Sequence, residues 1–274
     1  MKNIIFFLLF ITIILSSCED VVNLDLPDGD LQLVVDGTIT NQPGEKRVRL
    51  TNTANYFDNK ETPKVSNALV LLYNERGVVD TLIEKEAGIY ITEYIGQVGT
   101  SYHLYIRTPD GNEYESQPEL LQAVPDIDSI YYEFKAETPF QDEGYYVKID
   151  TYEPAGLGNH YRWKQYVNGK YKNEPFDLLY ATDQFVDGNP ILGFEVSTDA
   201  LQVGDQFRVQ QMSISEAAFD FLTLLSQQTA NVGSIFDSPP AALPGNIRNI
   251  TNPKVKALGF FSASAISEAT IVIE

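Results

Sequence analysis

The sequence predicts a mainly β protein: two β-sandwich domains with one short helix in the C-terminal region. Three observations predict it. Apolar residues recur with period two from Leu31 onward, turn signals interrupt the chain about every 8–12 residues, and only one late stretch shows a helical stripe.

Leu31, Leu33 and Val35 alternate with Gln32, Val34 and Asp36, and Val48 and Leu50 with Arg47 and Arg49. Leu69, Leu71 and Tyr73 form a strand face that ends at Asn74-Glu75-Arg76-Gly77. Val79, Thr81 and Ile83 return, Ala87-Gly88 turns the chain, and Ile89-Tyr90-Ile91 follows. Tyr102, Leu104 and Ile106 precede the turn Pro109-Asp110-Gly111-Asn112. Pro118 to Asp128, with two prolines, reads as a joint. Beyond it, Tyr145, Val147 and Ile149 face one way, and Tyr146, Lys148 and Asp150 the other. His160–Tyr166 leads into Asn168-Gly169, a strong short-range hairpin signal between aromatic strands.

Ser213 with Glu216 fits a capping box, and Ile214, Ala218, Phe221, Leu222 and Leu225 share one stripe, so a helix is expected over 214–228. Pro239-Pro240 and Pro244-Gly245-Asn246 stop it. Ala257–Ser264 and Thr270–Ile273 read as closing strands. The expected organisation is a signal peptide over 1–17, a tether over 18–30, a first sandwich over 31–122 and a second β-rich domain over 126–274.

Composition excludes several functions. The 274 residues carry 38 Asp and Glu against 19 Lys and Arg, a net charge of −19. Such a surface repels phosphates, so no nucleic acid is expected as a partner. One Cys cannot form an internal disulfide, a thiolate cluster or a CxxC pair. The only histidines are His103, expected to point outward from a strand, and His160, in a loop before one. Neither sits in HExxH, and no GxSxG elbow or Walker loop occurs. No catalytic residue, cofactor or metal is expected. Asp183, Asp187 and Asn189 offer hard oxygens but miss the EF-hand spacing, so a solvated loop is expected there. Tyrosines cluster from Tyr131 to Tyr171 around Trp163; a sandwich core is the expected use, and an exposed cluster that stacks on sugar faces or docks a partner is the alternative.

The N-terminus carries the sharpest signal. After Lys2, Ile4 to Leu15 is apolar except for Thr12. Twelve helical residues rise about 18 Å, short of a hydrocarbon core of about 30 Å, which fits a secretory signal rather than a membrane span. Leu15-Ser16-Ser17-Cys18 closes the run and resembles a bacterial lipobox: an aliphatic residue, two small ones, then the cysteine that takes diacylglycerol. Cys18 is the expected lipidation site and membrane anchor. Glu19 and Asp20 behind it resemble a surface-export signal of Bacteroidota lipoproteins.

Val65-Ser66-Asn67-Ala68-Leu69-Val70, then Gly88-Ile89-Tyr90 and Gly99-Thr100-Ser101-Tyr102-His103-Leu104, resemble a transthyretin-like or carboxypeptidase-regulatory sandwich. Together with the lipobox, the phrase Leu33–Thr40 and the long stretch Ser215–Ser264, the chain resembles domain-of-unknown-function family 4249, outer-membrane lipoproteins of Bacteroidota. The resemblance implies an envelope lipoprotein, often encoded beside a TonB-dependent receptor, and no reaction. The expected function is therefore a non-catalytic, lipid-anchored outer-membrane subunit, accessory to a TonB-dependent β-barrel or to nutrient uptake. A free-standing glycan- or peptide-binding lipoprotein is the alternative, and an acid-pair hydrolase the third. Asp80-Thr81-Leu82 and Asp128-Ser129-Ile130 resemble a Bacteroidota O-glycosylation site, marking Thr81 and Ser129. The Pro239–Asn252 segment, through Pro240, Pro244, Gly245 and Asn246, is the candidate partner loop.

Overall fold

The computed structural model describes residues 31–54, 61–230, 243 and 245–274. The early alternation forms β1 (Leu33–Thr40) and β2 (Lys46–Asn52), an antiparallel pair that buries Leu33, Val35, Val48 and Leu50. β3 (Leu69–Asn74), β4 (Gly77–Thr81), β5 (Ile83–Glu86), β6 (Ile89–Thr92), β7 (Ser101–Arg107), β8 (Glu113–Ser116) and β9 (Glu119–Leu120) follow. The face expected for β3 is inverted: Val70 and Leu72 fill the core, while Leu69, Leu71 and Tyr73 are only partly covered. Residues 68–73 are apolar on both faces, so the pattern alone does not set the face. Antiparallel pairing with β7, Leu72 opposite Leu104, does. The same slip leaves Ile83 exposed and buries Leu82.

The second half contains β10 (Ile127–Lys135), β11 (Gly144–Tyr152), β12 (His160–Val167), β13 (Lys170–Tyr171), β14 (Leu179–Thr182), β15 (Pro190–Glu195) and β16 (Gln206–Ile214). Asn168 and Gly169 both have positive φ, 51° and 77°, as a type I′ hairpin requires. Helix α1 (Glu216–Ala230) comes next, then β17 (Ile247–Asn249), β18 (Leu258–Ser264) and β19 (Ile266–Val272). The fold is mainly β, as expected, with α1 the single α-helix among the described residues. Its cap lies two residues later than expected. Ser215 Oγ accepts the Ala218 N–H at 3.1 Å. Ser213 instead belongs to β16 and is buried, donating to the Gln122 carbonyl at 2.7 Å and accepting from Ala265 N–H.

Two sandwiches result. In the first, sheet β18-β1-β2-β6-β5 packs on sheet β17-β8-β7-β3-β4. In the second, β10-β11-β15 packs on β13-β12-β16-β19 around Trp163, Phe207 and Ile149. The boundary that gives everything after residue 126 to the second sandwich does not describe this connectivity. β18 lies parallel to β1, Val35 opposite Gly259 and Gly37 opposite Phe261, and β17 pairs with β8. Ile247, Phe261, Ala263 and Ala265 are therefore core residues of the first sandwich. Parallel neighbours need a long crossover, and here the second sandwich supplies it.

Pro118–Asp128 is no free joint. Leu121 is fully buried, and its N–H donates to Thr100 O. Gln211 Nε2 donates to Pro125 O at 2.8 Å, and Ile127 N–H donates to Ser267 Oγ at 3.0 Å. Every few residues one backbone group is held by one sandwich or the other.

Candidate functional site

Of the expected partner loop, Pro240 and Pro244 lie outside the described residues, as do Cys18 and the whole of 1–30. Gly245 and Asn246 are described, and both are built into the fold rather than offered to a partner. A Cβ on Gly245 would collide with the backbone of Gly259, so only glycine lets the two chains lie this close. Asn246 is 3% exposed. It clamps β18 by donating to Phe261 O at 2.7 Å and accepting Phe261 N–H at 2.9 Å. Its amide also donates to Glu119 Oε1 at 3.2 Å. Burial is the correction here: Asn246 positions strands.

The accessible part of this region is the next turn. Ile250 N–H donates to Glu113 O, and Asn249 Oδ1 accepts Asn252 N–H at 2.8 Å, folding Thr251–Lys256 back on itself. The turn borders an open groove of about 550 Å³. Leu243, Ile250, Val255 and Leu258 supply its apolar wall, and Arg248 and Lys256 supply cations. Arg248 makes only a long contact of 3.9 Å with Glu115. A groove that joins apolar surface to two cations, in a chain of net charge −19, suits an acidic or mixed partner surface.

Two buried carboxylates with an unpartnered oxygen carried no signal in the sequence. Glu119, on β9, is 4% exposed, and its Oε2 has no hydrogen-bond partner. Burial pushes its pKa up, opposed by hydrogen bonds from Ser215 and Asn246. Glu153 is fully buried beyond β11 and accepts from Asn159 Nδ2 at 2.8 Å and Tyr161 OH at 3.0 Å. Its Oε2 is also unpartnered, and burial raises its pKa, helped by the charges of Asp183 and Asp187. Tyr161 is raised for the same reasons, burial first and then the Glu153 charge. A lone Glu in a turn context carries no sequence signal for such burial. Only a third-dimension neighbour reveals it.

A raised folded-state carboxyl pKa contributes stability below the ordinary value near 4.3 and loses it as pH rises through the raised value. Glu119→Gln is therefore expected to be more stable than the parent at pH 7. The gain should shrink to nothing as pH falls below about 4. Urea midpoints across that range check it, and a gain that persists unchanged at acid pH would refute the assignment.

Asp183 is 1% exposed, which corrects the solvated loop expected there. Its carboxylate accepts Gly158 N–H and Asn159 N–H, both at 2.9 Å, and Asp187 accepts Gly156 N–H at 2.6 Å. These acids staple the 153–159 loop to the 183–189 loop. Among the described residues no three His, Cys, Asp or Glu side chains converge as metal ligands.

Thr81 ends β4 with an exposed side chain, and its N–H bonds to Asp80 Oδ1 at 2.8 Å. Ser129 is half-buried in β10, and its hydroxyl bonds to Asp150 at 2.8 Å. His103 stacks on Tyr73 with centroids 4.9 Å apart. His160 opens β12, with Nδ1 3.0 Å from Gly158 O and its ring 5.0 Å from that of Phe219. Both imidazoles are held by ring packing, and the structure does not bring Thr81, Ser129, Asn246 and the histidines together.

The sandwich-plus-helix fold, with β18 returned to β1 across the Ser215–Ser264 stretch, accompanies a sequence match over nearly the whole chain. The model of the family described as Domain of unknown function (DUF4249) matches residues 19–270. The chain belongs to this family. No curated protein matches it. In this DUF4249 chain the matched region begins one residue after Cys18 and ends inside β19, so the match spans both sandwiches and the crossover between them.

Proposed function

We propose that this DUF4249 protein is a non-catalytic, lipid-anchored lipoprotein of the Bacteroidota outer membrane that works as an accessory or binding subunit beside a TonB-dependent β-barrel. The observation that carries the reading is the position of the sole cysteine. Cys18 closes the apolar run in Leu-Ser-Ser-Cys, and the family match starts at the next residue, where the mature polypeptide would continue. Two or three acyl chains, at about 0.8 kcal/mol per buried methylene, would anchor it stably. Cys18→Ser is expected to abolish lipid labelling and to move the protein from the detergent phase to the aqueous phase. Unchanged partitioning of the variant sinks the lipoprotein reading.

The Leu243–Leu258 groove is the proposed dock, because it is the open apolar surface beside exposed cations. Ile250 is 40% exposed there, and its side chain supports no core. Ile250→Asp should change stability by less than about 0.5 kcal/mol. It should lower recovery of the β-barrel in a native pull-down about tenfold, as loss of an apolar anchor does. Wild-type recovery would move the dock elsewhere.

A second reading rests on exposed aromatics of the second half. Phe140, Phe176 and Phe185 are 99%, 83% and 89% exposed. Such faces suit stacking on a glycan or peptide without a receptor. Recovery of a ligand in a pull-down that yields no barrel would favour it.

A further inference from the structure

Three parts of the chain meet at a small cavity of about 80 Å³. Tyr161, Trp163 and Gln165 of β12 point into the second core, so alternation turns Arg162 and Lys164 the other way. There they meet the outward face of the first sandwich, which presents Asp36, Thr38, Ser262 and Ser264 from β1 and β18. Helix α1 covers one side with Phe221 and Leu222. The cavity lies between the sandwiches.

Its polar half is rich in donors. Among the described residues neither Arg162 nor Lys164 forms an ion pair with a carboxylate; Arg162 donates to Tyr171 OH at 3.0 Å, and Lys164 lies 5.8 Å from the centroid of the same ring. The lining carboxylate, Asp36, is engaged outward with Arg49 at 3.2 Å, both side chains largely exposed. The lining thus has a net charge of one positive. Ser264 is fully buried, and its hydroxyl has no hydrogen-bond partner. Thr38 and Ser262 share one hydrogen bond at 3.0 Å, which leaves one of their two O–H groups free to donate. Burial, then the neighbouring Arg162 charge, holds the Lys164 pKa down at about 8. Two cations and two free hydroxyl donors thus face one space whose lining carboxylate, Asp36, is bonded to Arg49, while Tyr171 OH takes one Arg162 N–H.

The other half is apolar. The rings of Phe221 and Phe260 stand 5.2 Å apart, with Met212 and Leu222 beside them. Inorganic phosphate or sulfate would lose hydration against this wall and gain nothing from it. The volume is about half that of a 150 Å³ cavity that admits benzene, which leaves room for about three to five heavy atoms.

We propose that this cavity binds a short-chain monocarboxylate, with its carboxylate between Arg162, Lys164 and the Ser264 hydroxyl and its alkyl end against Phe221 and Phe260. The site is independent of the lipid anchor and of any receptor. The test is calorimetric titration of sodium propionate into the full chain, at fixed ionic strength, with inorganic phosphate as the competing probe. Saturable one-site binding of propionate is expected, with phosphate at least about tenfold weaker. Lys164→Met should weaken propionate about tenfold, the value of one charge-assisted hydrogen bond. It should also unfold at an equal or higher urea concentration, because a cation disfavoured by burial and by the Arg162 charge is removed. Ser264→Ala, which leaves the fold's hydrogen bonds intact, should weaken binding about threefold or more. No saturable heat with the parent chain, parent-like affinity in both variants, or phosphate binding as tightly as propionate would each overturn the proposal.

Discussion

Gly259→Ala is expected to be among the most damaging single substitutions in the chain, at about 2–5 kcal/mol. Gly259 sits at φ +88°, where an L side chain costs about 1–2 kcal/mol, and overpacking adds about 1–3 kcal/mol. The overpacking is backbone on backbone. A Cβ there would run into the Val35 carbonyl, while the Gly259 carbonyl itself lies under Gly245. Neither neighbour is the end of a flexible side chain, so relief requires β18 to lift away from β1. That movement would uncover Phe261, now 1% exposed, and break the Asn246 clamp on Phe261. Gly204→Ala separates strain from collision, because Gly204 has a similar φ of +95° with nothing near its Cβ position. Urea unfolding of the two variants side by side decides it. Equal midpoints would mean that the close approach of β1, β18 and Gly245 contributes nothing.

The sequence makes the class of this fold legible because period two survives wherever one strand face meets water. β1, β2, β7 and β11 read correctly for that reason. Where both faces carry apolar side chains, as at Leu69–Tyr73, the pattern is symmetric and cross-strand register decides. The return of β18 to β1 has no local signature at all. Val35 and Gly259 are neighbours through a parallel ladder, and nothing in either phrase names the other. The candidate site divides in the same way. Cys18 is legible because its chemistry is written in adjacent residues. Asn246 read as a loop residue because Pro244-Gly245-Asn246 is turn chemistry, and its burial comes from β18, fifteen residues on. Arg162 and Lys164 sit two apart on a strand, a signal that both share a face. That this face looks into a seam rather than into solvent depends on helix α1 and the first sandwich.

A fragment of residues 31–125 is expected not to fold. It holds most of the residues that resemble a transthyretin-like sandwich, yet it lacks the two strands that close it. Without β18, one side of β1 has no ladder partner, and without β17, β8 becomes an unpaired edge. The core loses Phe261, for which deletion to alanine alone costs about 3–5 kcal/mol, and Ile247, at about 2–5 kcal/mol. Those two losses, about 5–10 kcal/mol together, match the lower and middle part of a typical domain's stability of about 5–15 kcal/mol, before Ala263 and Ala265 are considered. Glu119 would also lose the Asn246 amide, which leaves a buried carboxylate with still fewer partners. The fragment's amide proton spectrum should therefore be collapsed and its circular dichroism poor in strand. Co-expression with residues 126–274 should restore both, since the second piece carries β17, β18 and the clamp, and the cut falls between Pro125 and Asp126. A well-dispersed spectrum from 31–125 alone would show that the first sandwich closes without its C-terminal strands.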